Sequence, residues 1–425
     1  MLLEYRVSNY RSFGDESGLS LVASGDKSKA DTNTVAVGGS GSDRALRAAV
    51  LYGANASGKS NLVRGMLLMQ LLVLNSFQQK PDQPLEYQPF MLDTSKRQKP
   101  IMFEVTVVID GVRHQYGFEF TKERITSEWL LVYKKAKPQK WIERDYDPET
   151  GKDTIKFGTS VQGQRAVWEE ATRPNALALS TAVQLNSEAL KPLYQWFAEA
   201  FVIVREGGFE GGSFTTQSLG DGAEREAIGE LMRNADVGIA SVSYTERQGF
   251  RREVVVDMQT GEAKTGVHEG LLRVPQFVHK AGEHAATFEL DDESEGTRKL
   301  YGLAGPIRDI LRTGKTLVID ELDRSLHPLI VRKIVEAFQS GASNPSGAQL
   351  IFTTHDTSLL DGGLLRRDQV WFVEKNAMQE SDLVPLLEFS PRKGEALERG
   401  YLEGRYGGIP VLAERLVAGG GRGDE

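Results

Sequence analysis

One octapeptide constrains the fold of this chain more than any other segment. Residues 53–60 read GANASGKS and fit the phosphate-binding pattern G-x-x-x-x-G-K-[ST] at every fixed position. A mostly apolar run, 46–52, precedes them, and apolar residues then recur at helical spacing at Leu62, Met66, Met69 and Val73. The sequence therefore predicts a strand, a glycine loop and a helix in succession, the arrangement in which N–H groups at a helix start bind phosphate oxygens.

The residue types of this loop predict how it binds a nucleotide. We expect Lys59 to reach the terminal phosphates and the Ser60 hydroxyl to be a Mg²⁺ ligand. Gly53 and Gly58 permit the tight ring of backbone around the phosphates. The other nucleotide-binding candidates, in the loop and directly after it, are Asn55, Ala56, Ser57 and Asn61. A glycine turn that only caps a helix is the structural alternative.

Two acids follow a second apolar run. Residues 316–319 predict a buried strand, and Asp320 and Glu321 come directly after it. The carboxyl ends of parallel strands face the ligand crevice of an α/β sheet. We therefore predict that Asp320 takes part in Mg²⁺ coordination and that Glu321 is the base that polarises the attacking water. An acid pair that caps the next helix is the alternative.

Two further sites carry polar residues next to predicted elements. The apolar run that begins at Leu350 ends in a polar cluster at His355, which we expect to hydrogen-bond a γ-phosphate and sense its loss. Ser294 and Gly296, in the tetrapeptide SEGT, stand just before a predicted helix. Taken alone, this tetrapeptide reads as an ordinary helix cap or as a second anion-binding helix start.

The rest of the chain predicts an α/β fold with an antiparallel subdomain. Period-two apolar residues in 101–118, with a turn at Asp110-Gly111, predict a β-hairpin, and 125–133 and the residues around Trp141 predict more strands of the same sheet. The last third alternates predicted helices and strands, which is typical of α/β proteins. The glycine-rich stretch 206–222 predicts a mobile loop or a hinge.

The order of these motifs resembles the head domain of ABC-type ATPases, in particular the RecF/SMC/Rad50-like group and the prokaryotic AAA15 family. The segments that carry the resemblance are 9–13 (NYRSF), 294–297 (SEGT) and 320–328 (DELDRSLHP). Similar proteins include the ATPase subunits of phage-defence systems such as PARIS, RloA-like and AbiL-like pairs, and the ATPase half of OLD nucleases. The resemblance covers about residues 1–135 and 285–410.

The resemblance implies a division of the chain and a fold. We expect an N-terminal ATPase lobe with the phosphate loop and antiparallel hairpins (1–135), an inserted helical or mixed region (136–284), a C-terminal ATPase lobe with the signature, the acid pair and the switch histidine (285–410), and a flexible tail (411–425). The implied fold is an ABC-type P-loop ATPase head.

The resemblance also implies how the site is completed. Ser294 and Gly296 would contact the γ-phosphate of ATP bound by the opposite subunit, so the active site would form in a head-to-tail homodimer or a higher oligomer. Gln88 would sense Mg²⁺ and water, unless it is a plain loop glutamine. Residues 9–13 would line the base or ribose, unless they are an exposed strand end. His327 stands where such ATPases often have an acid, which is a departure from the pattern.

Composition excludes several function classes. The chain has no cysteine, which excludes disulfides, thiol nucleophiles and Cys-ligated metals. It carries 51 Lys+Arg against 59 Asp+Glu, so it is not a passive nucleic-acid coat. No export signal is visible, and no apolar run approaches the about 20 residues that span a bilayer, so we expect a cytoplasmic protein.

These observations lead to one expected function and two alternatives. We expect a Mg-ATP-hydrolysing ABC-like ATPase that controls a partner effector, a nuclease or toxin, in anti-phage defence. One alternative is a DNA-repair or chromosome-maintenance ATPase that binds DNA through a basic stripe, with Arg251-Arg252 or Lys134-Lys135 as candidates. The other is a non-enzymatic nucleotide-gated scaffold, against which the presence of Glu321 argues. The segment 398–410, with Tyr401, Arg405 and Tyr406 among glycines, is a candidate docking surface for a partner, since aromatic and arginine residues often anchor interfaces, or a plain C-terminal loop.

Overall fold

The computed structural model describes most of the chain. The described residues are 1–38, 43–135, 137–204, 209, 211–235, 238–256, 263–361, 363–392 and 394–409, with backbone alone for 250–256 and 263–268. The predicted flexible tail, 411–425, lies outside the described residues.

Strands and helices both occur throughout the described part of the chain. The strands are β1 (Leu2–Ser8), β2 (Ser17–Ser20), β3 (Thr34–Ala36), β4 (Arg44–Leu46), β5 (Ala48–Tyr52), β6 (Ile101–Ile109), β7 (Val112–Phe120), β8 (Ile125–Tyr133), β9 (Gln139–Asp147), β10 (Lys152–Phe157), β11 (Phe201–Val204), β12 (Ile239–Val256), β13 (Ala263–Ala281), β14 (His284–Glu289), β15 (Thr316–Ile319), β16 (Gln349–Thr353), β17 (Val370–Lys375) and β18 (Ser381–Pro385). The α-helices are α1 (Ala30–Asn33), α2 (Lys59–Asn75), α3 (Arg165–Ala171), α4 (Ala178–Gln184), α5 (Lys191–Gln195), α6 (Ser213–Ser218), α7 (Gly222–Asn234), α8 (Glu295–Thr313), α9 (Pro328–Gln339) and α10 (Leu397–Leu402).

A six-stranded sheet positions the candidate site. Its order is β11-β15-β16-β5-β17-β18, and every pair is parallel except β17 with β18. Its central strands, β5, β15 and β16, are buried at every residue, because helices and a second sheet cover both faces. The phosphate loop, the acid pair and His355 follow β5, β15 and β16 respectively, so all three leave the same edge of the sheet. The predicted α/β class is confirmed.

A seven-stranded antiparallel sheet forms the second layer, in the order β10-β9-β8-β7-β6-β1-β2. The predicted hairpin is confirmed as β6 and β7, which turn at Asp110 (φ 49°) and Gly111 (φ 75°). This sheet continues to Phe157, beyond the predicted lobe boundary at residue 135. Helix α2 packs between the two sheets, since its apolar residues and the inward aromatic residues of β1, β6 and β7 belong to one buried cluster.

One buried side chain joins the starts of strands from both sheets. The Gln349 amide donates to the carbonyls of Leu2 (2.8 Å) and Leu46 (3.0 Å), and its oxygen accepts from the Leu2 N–H (2.6 Å) and the Thr316 hydroxyl (3.2 Å). Gln349 is fully buried, and all of these bonds are buried. The strands β1, β5, β15 and β16 therefore begin at one common point.

The middle of the chain differs from the sequence-based expectation. The stretch 206–222, predicted as a mobile loop or hinge, contains helix α6 and the start of α7 in its described part. Gly212 adopts a left-handed conformation (φ 56°) directly before α6. Beyond α7, β12, β13 and β14 form a separate three-stranded sheet. In the described part of the chain, no helix is long and apolar enough to cross a membrane.

Candidate nucleotide site

The phosphate loop between β5 and α2 is closed against β17 and β18. Gly58 has φ 123°, and a Cβ there would lie 2.2 Å from the Ser381 Oγ. A Cβ at Gly53 would lie 2.4 Å from the Val373 carbonyl oxygen. The Ser381 hydroxyl donates to the Ser57 carbonyl. Glycine is therefore required at both fixed positions of the motif, because backbone and side chains of the neighbouring strands occupy the space of a side chain.

Lys59 lies inside the loop. Its Nζ donates to the carbonyls of Gly53 (2.7 Å) and Ala54 (3.1 Å). Burial lowers the pKa of Lys59, and the carboxylates of Asp320, Glu321 and Asp323 offset part of this effect. The phosphate loop follows β5 and the acids follow β15, and one parallel strand, β16, lies between them. The structure therefore brings together the phosphate loop and the acids, which are separated by more than half of the chain.

Thr353, at the end of β16, holds the acid pair. Its hydroxyl donates to Asp320 Oδ1 (2.8 Å) and accepts from the Glu321 N–H (2.7 Å). Glu321 has a left-handed backbone (φ 54°), a conformation that is strained for a residue with a side chain and that concentrates at functional sites. Helix α9 begins later, at Pro328, and its cap is His327, whose Nδ1 accepts from the Leu329 N–H (3.2 Å). The acid pair is thus not a helix cap, and His327 has that role.

Asp323 also belongs to the site, although the sequence predicts no role for it. Its Oδ2 accepts from the backbone N–H of His355 (3.1 Å), while its Oδ1 is buried and has no hydrogen-bond partner in the described structure. The His355 side chain itself is exposed. The one sequence feature that points to Asp323 is its position as a third acid, two residues after Glu321 and close to the end of β15. Asp323 therefore links the acid loop to the loop that carries His355.

These residues fit Mg-ATP. Lys59 supplies a cation inside the loop, and the Ser57 hydroxyl is buried with no hydrogen-bond partner among the described residues. Asp320 and the Ser60 hydroxyl are oxygen ligands of the kind that Mg²⁺ prefers. The assigned roles of Ser60, Asp320, Glu321 and His355 stay predictions.

The signature tetrapeptide packs onto the loop after the acid pair. The Ser294 hydroxyl accepts from the Thr297 N–H (3.1 Å) and so caps α8. A Cβ at Gly296 would lie 2.8 Å from the Ser325 carbonyl oxygen. Lys299 Nζ donates to the Glu321 carbonyl (3.2 Å). Within the described ranges, no hydrogen bond joins Ser294 or Gly296 to residues 53–60 of the same chain, and their contact with a phosphate bound by the opposite subunit stays a prediction.

Residues 9–13 lie beside the phosphate loop. Ser12 accepts from the Asn61 amide (2.8 Å) through its hydroxyl and from the Ser381 N–H (2.7 Å) through its carbonyl. Asn9 and Tyr10 are buried, so this segment is not an exposed strand end. The Asn61 amide thus contacts Ser12, and its predicted nucleotide contact is untested.

Gln88 is half-buried and contacts residues of its own loop and of 9–13. Its side-chain amide donates to Glu86 Oε1 (3.0 Å), and its carbonyl accepts from the Arg11 N–H (2.8 Å). Among the described residues, no hydrogen bond joins its side chain to Asp320 or Ser60. The role of Gln88 as a Mg²⁺ ligand therefore stays a prediction.

The structure also describes parts of the predicted basic stripe and of the candidate docking segment. Lys134, in the predicted basic stripe, places its Nζ 5.1 Å from the centre of the Trp141 ring, whereas the side chains of Arg251 and Arg252 lie outside the described residues. In the candidate docking segment 398–410, Tyr401 and Tyr406 are buried against Phe372. The expectation that these tyrosines anchor a partner is wrong, because both rings belong to the core.

Asp320→Ala tests the metal assignment. We expect the variant to retain nucleotide binding, because Lys59 and the loop backbone are intact, but to lose the dependence of that binding on Mg²⁺ and to lose Mg²⁺-dependent hydrolysis. Isothermal titration with ATP, with and without Mg²⁺, measures the binding, and phosphate release measures the hydrolysis. Asp309→Ala, at an acid of helix α8 that pairs with Lys315, is the matched control. Unchanged Mg²⁺-dependent turnover in Asp320→Ala would remove this carboxylate from the site.

The fold and the site together define a P-loop nucleotide-binding protein with an acid pair and a histidine at one sheet edge. A family model described as "AAA domain, putative AbiEii toxin, Type IV TA system" matches residues 48–361, which include all three of these features. The chain belongs to this family. The match confirms the predicted place of the chain among ABC-like AAA ATPases, whose members bind and hydrolyse nucleotides.

Solved structures with a similar fold include SMC head domains. The SMC head domain from Thermotoga maritima is 14% identical with a TM-score of 0.42, and the match covers 90% of this chain and 98% of that chain. An SMC head bound to the C-terminal winged-helix domain of ScpA is 14% identical (TM-score 0.41, 90% and 96% covered). An SMC head with an extended coiled coil, bound to a ScpA domain and derived from Pyrococcus furiosus, is 12% identical (TM-score 0.41, 91% and 97% covered). A search of curated proteins found no match.

Proposed function

We propose that this chain is a Mg²⁺-dependent ATP hydrolase whose site is completed by a second copy of the chain, and that this homodimer controls a partner effector, a nuclease or toxin, in defence against phage. The observation that carries the proposal is the placement of Glu321. Thr353 accepts a hydrogen bond from its backbone N–H, its backbone is left-handed, and its carboxylate raises the pKa of Lys59 in the phosphate loop, against the effect of burial.

The arrangement supports hydrolysis rather than nucleotide binding alone. Lys59 and the loop N–H groups would hold the phosphates, and Ser60 with Asp320 would hold Mg²⁺, which supplies charge neutralisation at the phosphates. Glu321 would accept a proton from the attacking water, and Thr353 keeps the neighbouring Asp320 oriented by a hydrogen bond. A scaffold that only binds nucleotide would not need a base in a strained conformation.

The signature residues support a site shared between two copies. Ser294 is exposed at the start of α8, where the helix N-terminus favours an anion. Its own-chain contacts go to Thr297 and not to the phosphate loop. A phosphate bound by a second copy is the ligand that this exposed helix start would suit.

The effector part of the proposal has separate support. The family description names a toxin and a type IV toxin–antitoxin system, which fits a chain that acts with a partner. The acids that the structure brings to the phosphate loop are committed to ATP in this scheme. We therefore place the toxic or nucleolytic activity in another protein, and place both proteins in the cytoplasm.

A pair of experiments tests the proposed function. The purified chain should release phosphate from ATP only with Mg²⁺ and should not cleave DNA or RNA under the same conditions. Cells that express the chain alone should remain sensitive to phage, and cells that also express the protein encoded beside it should be protected. Glu321→Gln should remove that protection, whereas Thr150→Arg, in the exposed turn between β9 and β10, should keep it.

Three outcomes would contradict parts of the proposal. Cleavage by the pure chain that survives stringent purification would place the effector in this chain. Full protection by the chain alone would show that no partner is needed. Salt-dependent binding of duplex DNA by the isolated chain would favour the DNA-repair or chromosome-maintenance alternative.

A further inference from the structure

The described end of the chain packs against the nucleotide site. The C-terminal segment, residues 394–409, contains α10 and a turn that ends at Ile409. Its aromatic residues stack on the strand next to β5, since the Tyr401 and Tyr406 rings lie 5.3 Å and 5.7 Å from the Phe372 ring. This core packing fixes the position of the segment at the sheet edge from which the phosphate loop leaves.

The segment contacts the first residue of the phosphate loop. A Cβ at Gly408 would lie 3.5 Å from the Gly53 Cα, so the two backbones pass in contact. The Tyr401 hydroxyl donates to the Gly408 carbonyl (3.1 Å), and the Tyr401 ring packs on Tyr52, the residue before Gly53. Burial raises the pKa of Tyr401, and the nearby Gly53 backbone opposes that effect. The Tyr401 hydroxyl thus holds the turn at Gly408, and Gly408 lies against the start of the phosphate loop.

The same segment contacts the loop that follows His355. The Thr357 hydroxyl donates to the Glu398 carboxylate (2.6 Å), and the Glu398 N–H donates to Asp361 Oδ1 (3.1 Å). From the other side, the Tyr52 hydroxyl donates to the Asp356 carbonyl (3.0 Å). The loop 355–361 is therefore fixed by Glu398 and by the strand that leads into the phosphate loop.

We propose that Tyr401 and Glu398 are positioning residues of the nucleotide site, Tyr401 for the phosphate loop and Glu398 for the loop that carries His355. Neither residue contacts the reacting atoms. Tyr401 sets the entry of β5 into the ring of backbone that receives phosphates, so it governs nucleotide affinity. Glu398 accepts the hydrogen bond from Thr357 and so fixes the position of the loop that carries His355. It therefore governs turnover. This inference rests on the proposed ATP hydrolysis.

The two residues predict a split between kinetic parameters. Tyr401→Phe keeps the ring and removes the hydroxyl, and it should raise KM for ATP at least about fivefold with kcat within about twofold of the parent. Thr357→Val keeps the shape and removes the donor, and it should lower kcat at least about fivefold with little change in KM. Thr357→Ser should restore turnover, since it keeps the hydroxyl. Arg399→Ala, at an exposed residue of α10 that pairs with Glu403, should change neither parameter.

A double-mutant cycle and an exchange measurement complete the test. Glu398→Ala combined with Thr357→Val should lower kcat no further than either change alone, because both remove one interaction. Amide hydrogen exchange in the peptide that follows His355 should be faster in Thr357→Val than in the parent, without nucleotide. Three outcomes would each overturn the inference. They are changes of similar size in kcat and in KM within one variant, additive effects of Glu398→Ala and Thr357→Val on kcat, and a Thr357→Ser variant with turnover as low as that of Thr357→Val. If the parent chain hydrolyses no ATP, the proposed function fails, and the exchange measurement still decides whether Glu398 holds this loop.

Discussion

Glu321→Gln should accumulate as an ATP-bound dimer that hydrolyses ATP at least about 100-fold more slowly than the parent, because general bases contribute 10²–10⁴-fold to such reactions. The change removes the proton acceptor and preserves the volume of the side chain. The backbone contacts of this residue, from its N–H to Thr353 and from Lys299 to its carbonyl, do not involve the carboxylate and should persist. Binding and assembly should therefore survive while turnover is lost.

Light scattering or analytical ultracentrifugation with ATP and Mg²⁺ measures this outcome. Adding Ser294→Arg to Glu321→Gln should give a monomer that still binds ATP, because an arginine at the exposed start of α8 obstructs the approach of a second copy. Adding Thr150→Arg instead introduces the same charge at a remote turn and should leave the dimer intact. A Glu321→Gln protein that stays monomeric with ATP and Mg²⁺, or a dimer that persists with Ser294→Arg, would contradict the head-to-tail arrangement.

Lys59→Met should abolish ATP binding at concentrations that saturate the parent. Each charge-assisted hydrogen bond to a phosphate is worth about 1.5–3 kcal/mol, so the loss of two bonds raises the Kd at least about 100-fold. The fold should persist, because burial already lowers the pKa of Lys59 and methionine places no charge in the same space.

Fluorescent-nucleotide titration and thermal unfolding measure the two halves of this prediction. Lys333→Met, at an exposed lysine of α9 that pairs with Glu336, is the control for the loss of one positive charge. Equal ATP affinity in Lys59→Met and in the parent would exclude Lys59 from the site. If Lys59→Met loses ATP binding and also unfolds at a much lower temperature than the parent, the lysine is structural.

The sequence predicted those parts of the site that adjacency along the chain determines. Glycines 53 and 58, the acids after β15 and the histidine after β16 each follow an apolar strand directly, so the geometry of a parallel sheet brings them to one edge. Local periodicity likewise predicted the hairpin of β6 and β7.

The contacts that the sequence did not predict join residues far apart in the chain. Thr353 orients an acid of another strand, Ser12 contacts the start of α2, and Gly408, held by Tyr401, lies against Gly53 across most of the chain. Such side-chain pairs leave no periodic signal, because each depends on packing of whole sheets. The buried tyrosines of the C-terminal segment were misjudged for the same reason, since aromatic residues among glycines resemble an exposed docking loop until their packing is known.

The bonds of Gln349 have a mechanical consequence. They fix the starts of β1 and β16 to each other, while the chain beyond each of these strands reaches the nucleotide site, at residues 9–13 and at the loop of His355. A small rotation of one sheet against the other would therefore turn about the bonds of Gln349. The starts of β1 and β16 would stay almost still, and the largest displacement would occur at the opposite ends of these strands, around the phosphates.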